Sequence, residues 1–131
     1  NILDYGCGSG ILSIAAHKLG AKTILGIDND HQALRNAERN KSLNSADIDL
    51  LHSRDYKIKM KFDIVIANIL LKTIISLKEI LLSSLKPKSK LLLTGVLQDQ
   101  AIELINSFSP EISLNIFDKK EDWILFYGEK N

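Results

Sequence analysis

Short, largely apolar runs recur along the chain. Between them lie longer stretches in which apolar residues return every three or four positions. The first pattern predicts β-strand and the second amphipathic α-helix. Ile2 to Tyr5 predicts a first strand, followed by a Gly6-Cys7-Gly8-Ser9-Gly10 loop and a helix over Ile11 to Leu19 that Gly20 stops. Lys22 to Ile27 predicts a second strand, ending at Asp28. Asn29 or Asp30 can cap the next helix, which runs to about Leu43 on a stripe of Ala33, Leu34 and Ala37. A short strand is expected near Ile48 to His52, and Phe62 to Ala67 is apolar enough for a strand covered on both faces. A helix is predicted over about Lys72 to Leu85, burying Ile74, Ile75, Leu81, Leu82 and Leu85. Lys90 to Val96 reads as a strand and Asp99 to Ser107 as a helix, and both prolines fall between segments. The last two strands, Glu111 to Phe117 and Asp122 to Tyr127, have only four residues between them, too few for a parallel crossover. The sum predicts an α/β fold: a doubly wound, mostly parallel seven-stranded sheet with a C-terminal antiparallel hairpin.

Composition narrows the function classes. The 131 residues fit one domain, and 45% hydrophobic with 25% charged residues excludes a disordered chain. A formal net charge of +1 argues neither for nucleic acid nor for a membrane surface as a bulk partner. The one cysteine, Cys7, excludes an internal disulfide framework and is compatible with a reducing, cytoplasmic setting. No apolar run approaches the roughly 20 residues of a membrane helix. The chain opens on a strand, without an initiator methionine or a signal peptide. Residues 1–131 are therefore expected to be one domain forming the C-terminal part of something longer.

Three of the seven glycines stand at positions 6, 8 and 10. Such a strand-to-helix turn lets a ligand approach the backbone, and the helix behind it offers free N–H groups and the positive end of its dipole. The spacing is Gly-x-Gly-x-Gly, not the Gly-x-Gly-x-x-Gly of dinucleotide sites. Asp28 lies 20 residues past Gly8 at the end of the second strand, where a carboxylate can accept from adenosine ribose hydroxyls or cap the next helix. Adenosine is thus the expected common element of the ligand, whether nicotinamide or sulfonium. Asp4, two residues before the first glycine, is costly to bury unless bonded. It can anchor the loop's N–H groups or face an ammonium group. It would repel a pyrophosphate, which favours a cofactor with an α-amino group.

Asp4-Tyr5-Gly6-Cys7-Gly8-Ser9-Gly10 resembles the first motif of class I S-adenosylmethionine-dependent methyltransferases, and the resemblance covers essentially the whole chain. Within that superfamily the chain looks most like the ribosomal protein L11 methyltransferase family. The residues carrying this are Gly8 to Ala16, Ala67-Asn68-Ile69-Leu70, Leu93-Thr94-Gly95-Val96-Leu97 with Gln100, and Trp123. The resemblance implies a Rossmann-like methyltransferase fold and S-adenosyl-L-methionine as cofactor, with S-adenosylhomocysteine as product. It implies methylation of lysine side chains or the N-terminal amine of a large-subunit ribosomal protein. Methylation of RNA or a small molecule, or a cofactor-binding piece inactive by itself, are the alternatives.

The resemblance also implies a division of labour. Gly6, Gly8 and Gly10 pass the methionyl part, Asp4 lies near its amino group and Asp28 holds the ribose. Asn29 stands where many relatives place an apolar residue against adenine, and Ser53 and Arg54 stand near the adenine edge. Asn68 faces the methyl donor as the expected catalytic residue, with helix N-capping as its other reading. Where amine and amide methyltransferases often carry Asn-Pro-Pro-Tyr, this chain has Asn68-Ile69-Leu70-Leu71. Loss of the aromatic disfavours planar nitrogen substrates and agrees with an aliphatic amine.

Other residues read blandly. Cys7 is expected to be a small buried spacer, and His17, His31 and His52 show no ligand spacing, so no metal is expected. Lys57, Lys59 and Lys61 form a basic stretch, solvated or in transient contact with ribosomal RNA. Trp123 is expected to pack in the core or hairpin.

Overall fold

The computed structural model describes all 131 residues, which divide into two compact units, Asn1–Met60 and Lys61–Asn131. The first holds β1 (Ile2–Tyr5), α1 (Ile11–Lys18), β2 (Ile24–Asp28), α2 (His31–Leu43) and β3 (Asp49–His52). The second holds β4 (Phe62–Asn68), α3 (Leu71–Ser76), α4 (Lys78–Ser83), β5 (Leu85–Leu97), α5 (Ala101–Phe108), β6 (Leu114–Lys120) and β7 (Trp123–Glu129). Three of the seven strands belong to the first unit and four to the second. No helix is long and apolar enough to cross a membrane.

In the first unit β2 pairs with both β1 and β3, all parallel. Ile14, Ala16, Ile24, Ala46 and Ile48 form a buried cluster between helix and sheet. Gly20 ends α1 through two backbone bonds, Gly20 N–H to His17 and Ala21 N–H to Ala16, both 3.0 Å. Asp30 caps α2, its side chain accepting the Gln32 N–H at 2.8 Å.

In the second unit β4 and β5 are parallel, whereas β7 runs antiparallel to both β5 and β6. The expected hairpin is present, with its turn shortened to Glu121 and Asp122. Phe62, Val65, Ile74, Leu81, Leu91, Leu93, Phe108 and Phe126 are fully buried. Each such side chain contributes about 1.5–3 kcal/mol relative to exposure.

Two expectations need correction here. The single helix over Lys72 to Leu85 is two short helices broken at Leu77. The Ser76 hydroxyl bonds the Thr73 carbonyl at 2.8 Å, competing with the helical ladder at that point. Leu85 is not helical, because the Ser84 carbonyl accepts the Phe62 N–H at 2.8 Å and draws the chain into the sheet beside β4. Likewise Pro87 lies inside β5, not between segments. It is tolerated because the pairing with β4 jumps from Phe62–Leu85 to Ile64–Lys90, leaving Pro87 outside the ladder.

A second irregularity shapes β5. Its pairing with β7 steps from Leu93–Phe126 to Val96–Ile124, so one extra residue bulges at Thr94-Gly95. Gly95 takes φ +83°, and a Cβ there would lie 2.6 Å from the Ile69 carbonyl oxygen. Backbone presses on backbone at this point and neither can give way. Gly95→Ala is therefore expected to cost about 2–3 kcal/mol in urea denaturation. Gly128→Ala meets only the side-chain ends of Leu114 and Ile112. It should cost clearly less, and equal losses would refute this account of the bulge.

Candidate functional site

The glycine turn of the first unit is held from several sides. The Gly6 and Cys7 N–H groups both donate to the Ile27 carbonyl, at 2.7 and 2.8 Å. The Asn40 side-chain amide of α2 donates to the Ser9 carbonyl at 2.9 Å. A Cβ on Gly10 would stand 3.2 Å from the Ala37 Cβ, at a φ of +81°, so α2 can approach only a glycine. In contrast, a Cβ on Gly8 would meet nothing within 4 Å. The turn is thus rigid behind and open in front. Helix α1 begins after Gly10, which has no side chain to cap it, and the backbone N–H of Ser13 in its first turn donates to Asp4.

Asp28 reaches this turn directly. Its Oδ2 accepts the Gly8 N–H at 2.8 Å and its Oδ1 the Asp30 N–H at 3.0 Å. A carboxylate has about four acceptor positions, so capacity remains for two ligand hydroxyls. The helix-capping role belongs to Asp30 instead.

Asp4 is only 1% exposed and accepts the Ser13 hydroxyl at 2.7 Å, which ties β1 to α1. Burial pushes its carboxyl above the ordinary range, opposed by hydrogen bonds from Ser13 and reinforced by the charge of Asp28. Of the two readings open for Asp4, anchoring the Gly8 N–H belongs to Asp28 instead. Cys7 is buried as a spacer would be, its thiol pushed up to about 12 by burial and by the charges of Asp4 and Asp28. Burial is the larger cause, and the cysteine is no nucleophile at neutral pH.

Of the expected adenine contacts, Asn29 presents its carbonyl 3.0 Å from His52 Nε2. Ser53 opens a short 3₁₀ turn, Ser53–Asp55, where it is half-buried, and Arg54 is exposed.

In the second unit, Asn68 ends β4 beside Thr94 of β5. It does not cap a helix: α3 starts after Leu70 and has no side-chain cap. The Asn68 side chain is instead exposed in a cleft of about 540 Å³ lined by Asn68, Ile69, Leu70, Thr94, Gly95 and Trp123. The Ile69 N–H donates to the Thr94 carbonyl at 3.2 Å, so the Gly95 bulge holds the cleft floor. Trp123 does not pack in the core. It is 47% exposed and forms a cleft wall at the first residue of β7, on the strand face opposite the buried Ile124. Its role, and that of the 71%-exposed Leu70, is missed by hydropathy, which assigns large apolar residues to the core. The available signal was the pairing of an Asn-Ile-Leu run with a Thr-Gly bulge in the next parallel strand.

The family model described as ribosomal protein L11 methyltransferase (PrmA) matches residues 1–131. The ribosomal protein L11 methyltransferase of Paraburkholderia phytofirmans is 38% identical over 130 residues, covering 99% of this chain and 43% of that protein. The enzyme of the same name from Photobacterium profundum is 40% identical, covering 98% of this chain and 45% of its own length. The chain thus spans less than half the length of these curated relatives. The crystal structure of a ribosomal protein L11 methylase from Lactobacillus delbrueckii subsp. bulgaricus superposes with a TM-score of 0.90 at 32% identity, covering 99% of this chain and 70% of that one. A Thermus thermophilus 16S rRNA N2 G1207 methyltransferase, solved with AdoMet and guanosine, superposes at 0.82 with 18% identity, a likeness of fold. Because the family model is matched from the first residue to the last, the chain belongs to the ribosomal protein L11 methyltransferase family.

Proposed function

We propose that residues 1–131 form an S-adenosylmethionine-binding methyltransferase domain that transfers methyl groups to amines of ribosomal protein L11, on lysine side chains or the N-terminal amine. The observation that carries the cofactor is a glycine-rich turn, open at Gly8, with two carboxylates near it. A cation is stabilised in such a field and a pyrophosphate is repelled. The protein substrate is supported by the names of the relatives.

When bound, the cofactor supplies a sulfonium methyl already activated for displacement. Gly6, Gly8 and Gly10 leave room for its methionyl part, and Asp28 accepts from the ribose. Asp4 contributes a negative charge at the amino end, while Asn29 and Ser53 border the adenine. Asn68 acts on the acceptor. Its side-chain oxygen accepts an amine N–H and aims the lone pair, and Trp123 and Leu70 shelter the aliphatic stem. An attacking amine must be neutral, and desolvation beside a cation lowers its pKa from about 10.4 for lysine. Positioning is then the main work left to the protein. Lys57, Lys59 and Lys61 are exposed, and transient contact with ribosomal RNA during this reaction is part of the proposal. So is a cytoplasmic location, where ribosomal substrate is found.

Transfer of labelled methyl into purified ribosomal protein L11, with ribosomal RNA as the competing acceptor, tests the substrate. Label in RNA alone would refute it. Asp28→Ala should weaken cofactor binding about 10- to 100-fold, the worth of hydrogen bonds to a charged group. Asn68→Ala should lower kcat by about the same factor while leaving cofactor affinity within about twofold. An equal loss of affinity from Asn68→Ala would overturn its assignment.

Asp4→Asn separates stability from function. A carboxyl whose folded pKa is raised is best tolerated when protonated, so its ionised form weighs against folding as pH rises. Asp4→Asn keeps an acceptor for Ser13 and should raise Tm at pH 7, with the gain shrinking toward pH 4. Cofactor affinity should fall about tenfold. Thermal scans across pH, paired with calorimetry, read both.

A further inference from the structure

His52 closes β3 and stands opposite Asp28 in the pairing with β2. Both of its ring nitrogens are engaged. Nδ1 accepts the Arg54 N–H at 3.2 Å. Nε2 lies 3.0 Å from the Asn29 carbonyl, which can only accept. The ring is therefore neutral with its proton on Nε2, an acceptor on one side and a donor on the other. His31, the first residue of α2, stacks on it with centroids 4.4 Å apart and planes at 29°.

One imidazole thus ties two segments together. On one side is the strand end with Asp28 and Asn29, and on the other the 3₁₀ turn with Ser53 and Arg54. Protonation would make Nδ1 a donor facing the Arg54 donor and set a cation against a second imidazole. The surrounding charges are Asp28 and Asp30 from the β2 end, His31 from α2, and Arg54 with Asp55 from the turn. Asp28 and Asp30 already accept backbone N–H groups of Gly8, Asp30 and Gln32. The Arg54 guanidinium lies 3.8 Å from Asp55.

We infer that His52 is a positioning residue that sets the spacing between the ribose and adenine walls, and that taking up a proton there loosens the cofactor. This rests on the cofactor reading above. Calorimetric titration with S-adenosylmethionine between pH 7.5 and 5.5 tests it, on the protein and on His52→Gln, which has no titrating ring. One net hydrogen bond is worth about three- to tenfold in affinity. Over this range the wild-type Kd should rise by about that factor more than the His52→Gln Kd, which keeps only the contribution of Asp4. His31→Ala, which leaves both hydrogen bonds of His52 in place, should keep the pH dependence. A flat wild-type profile, or an equal rise in His52→Gln, overturns the inference while leaving the cofactor reading intact. No binding at any pH overturns both. Without cofactor, the Arg54 amide proton resonance should shift between pH 7.5 and 5.5, and an Arg54 amide indifferent to pH overturns the inference even if His52→Gln fails to fold.

Discussion

The Gly8 N–H donates to the Asp28 carboxylate at 2.8 Å, and the first unit's candidate chemistry is arranged around that bond. It joins the turn after β1 to the end of β2, so a group resting on the turn also meets the carboxylate. The turn keeps its shape because Ile27, Asn40 and Ala37 hold it from behind. Its electrostatics follow from the same residues. Asp28 and the buried Asp4 place two carboxyl groups near the turn. A helix N-terminus with no acid in its first turn would by itself suit an anion. Two carboxylates reverse that preference, and this favours a cationic amino acid derivative over a dinucleotide.

The second unit rests on a different constraint, the contact of two backbones. Gly95 bulges from β5 against Ile69, and no larger residue fits between them. The bulge fixes the chain after Asn68 and keeps that side chain out of a capping role. The result is a mostly apolar cleft with an amide at one edge and an indole at another. Such a surface suits an aliphatic chain ending in a polar nitrogen.

What was legible in the chain was local. The β1 strand, the glycine turn and the Asp30 cap follow from short-range rules, and the structure places them within a residue or two of expectation. The antiparallel ending was readable from a connection too short to cross over. What escaped depends on partners distant in sequence. Nothing between Ile74 and Leu85 breaks the helical period, so the break at Leu77 and the recruitment of Leu85 by Phe62 were invisible. Pro87 reads as a boundary until the slipped ladder beside it is known. Asp4 and Asp28 were both identifiable as acids near the turn, but which of them anchors it depends on their depth in the fold. Trp123 looked like core or hairpin packing because hydropathy carries no information about a cleft wall. The tie from His52 to Asn29 joins residues 23 apart and has no sequence signature.

Calorimetric titration of the protein with S-adenosylmethionine and, separately, with NAD addresses the electronegative turn most directly. Saturable binding of S-adenosylmethionine with none of NAD is the predicted result. Binding of NAD in the absence of any binding of S-adenosylmethionine would contradict it.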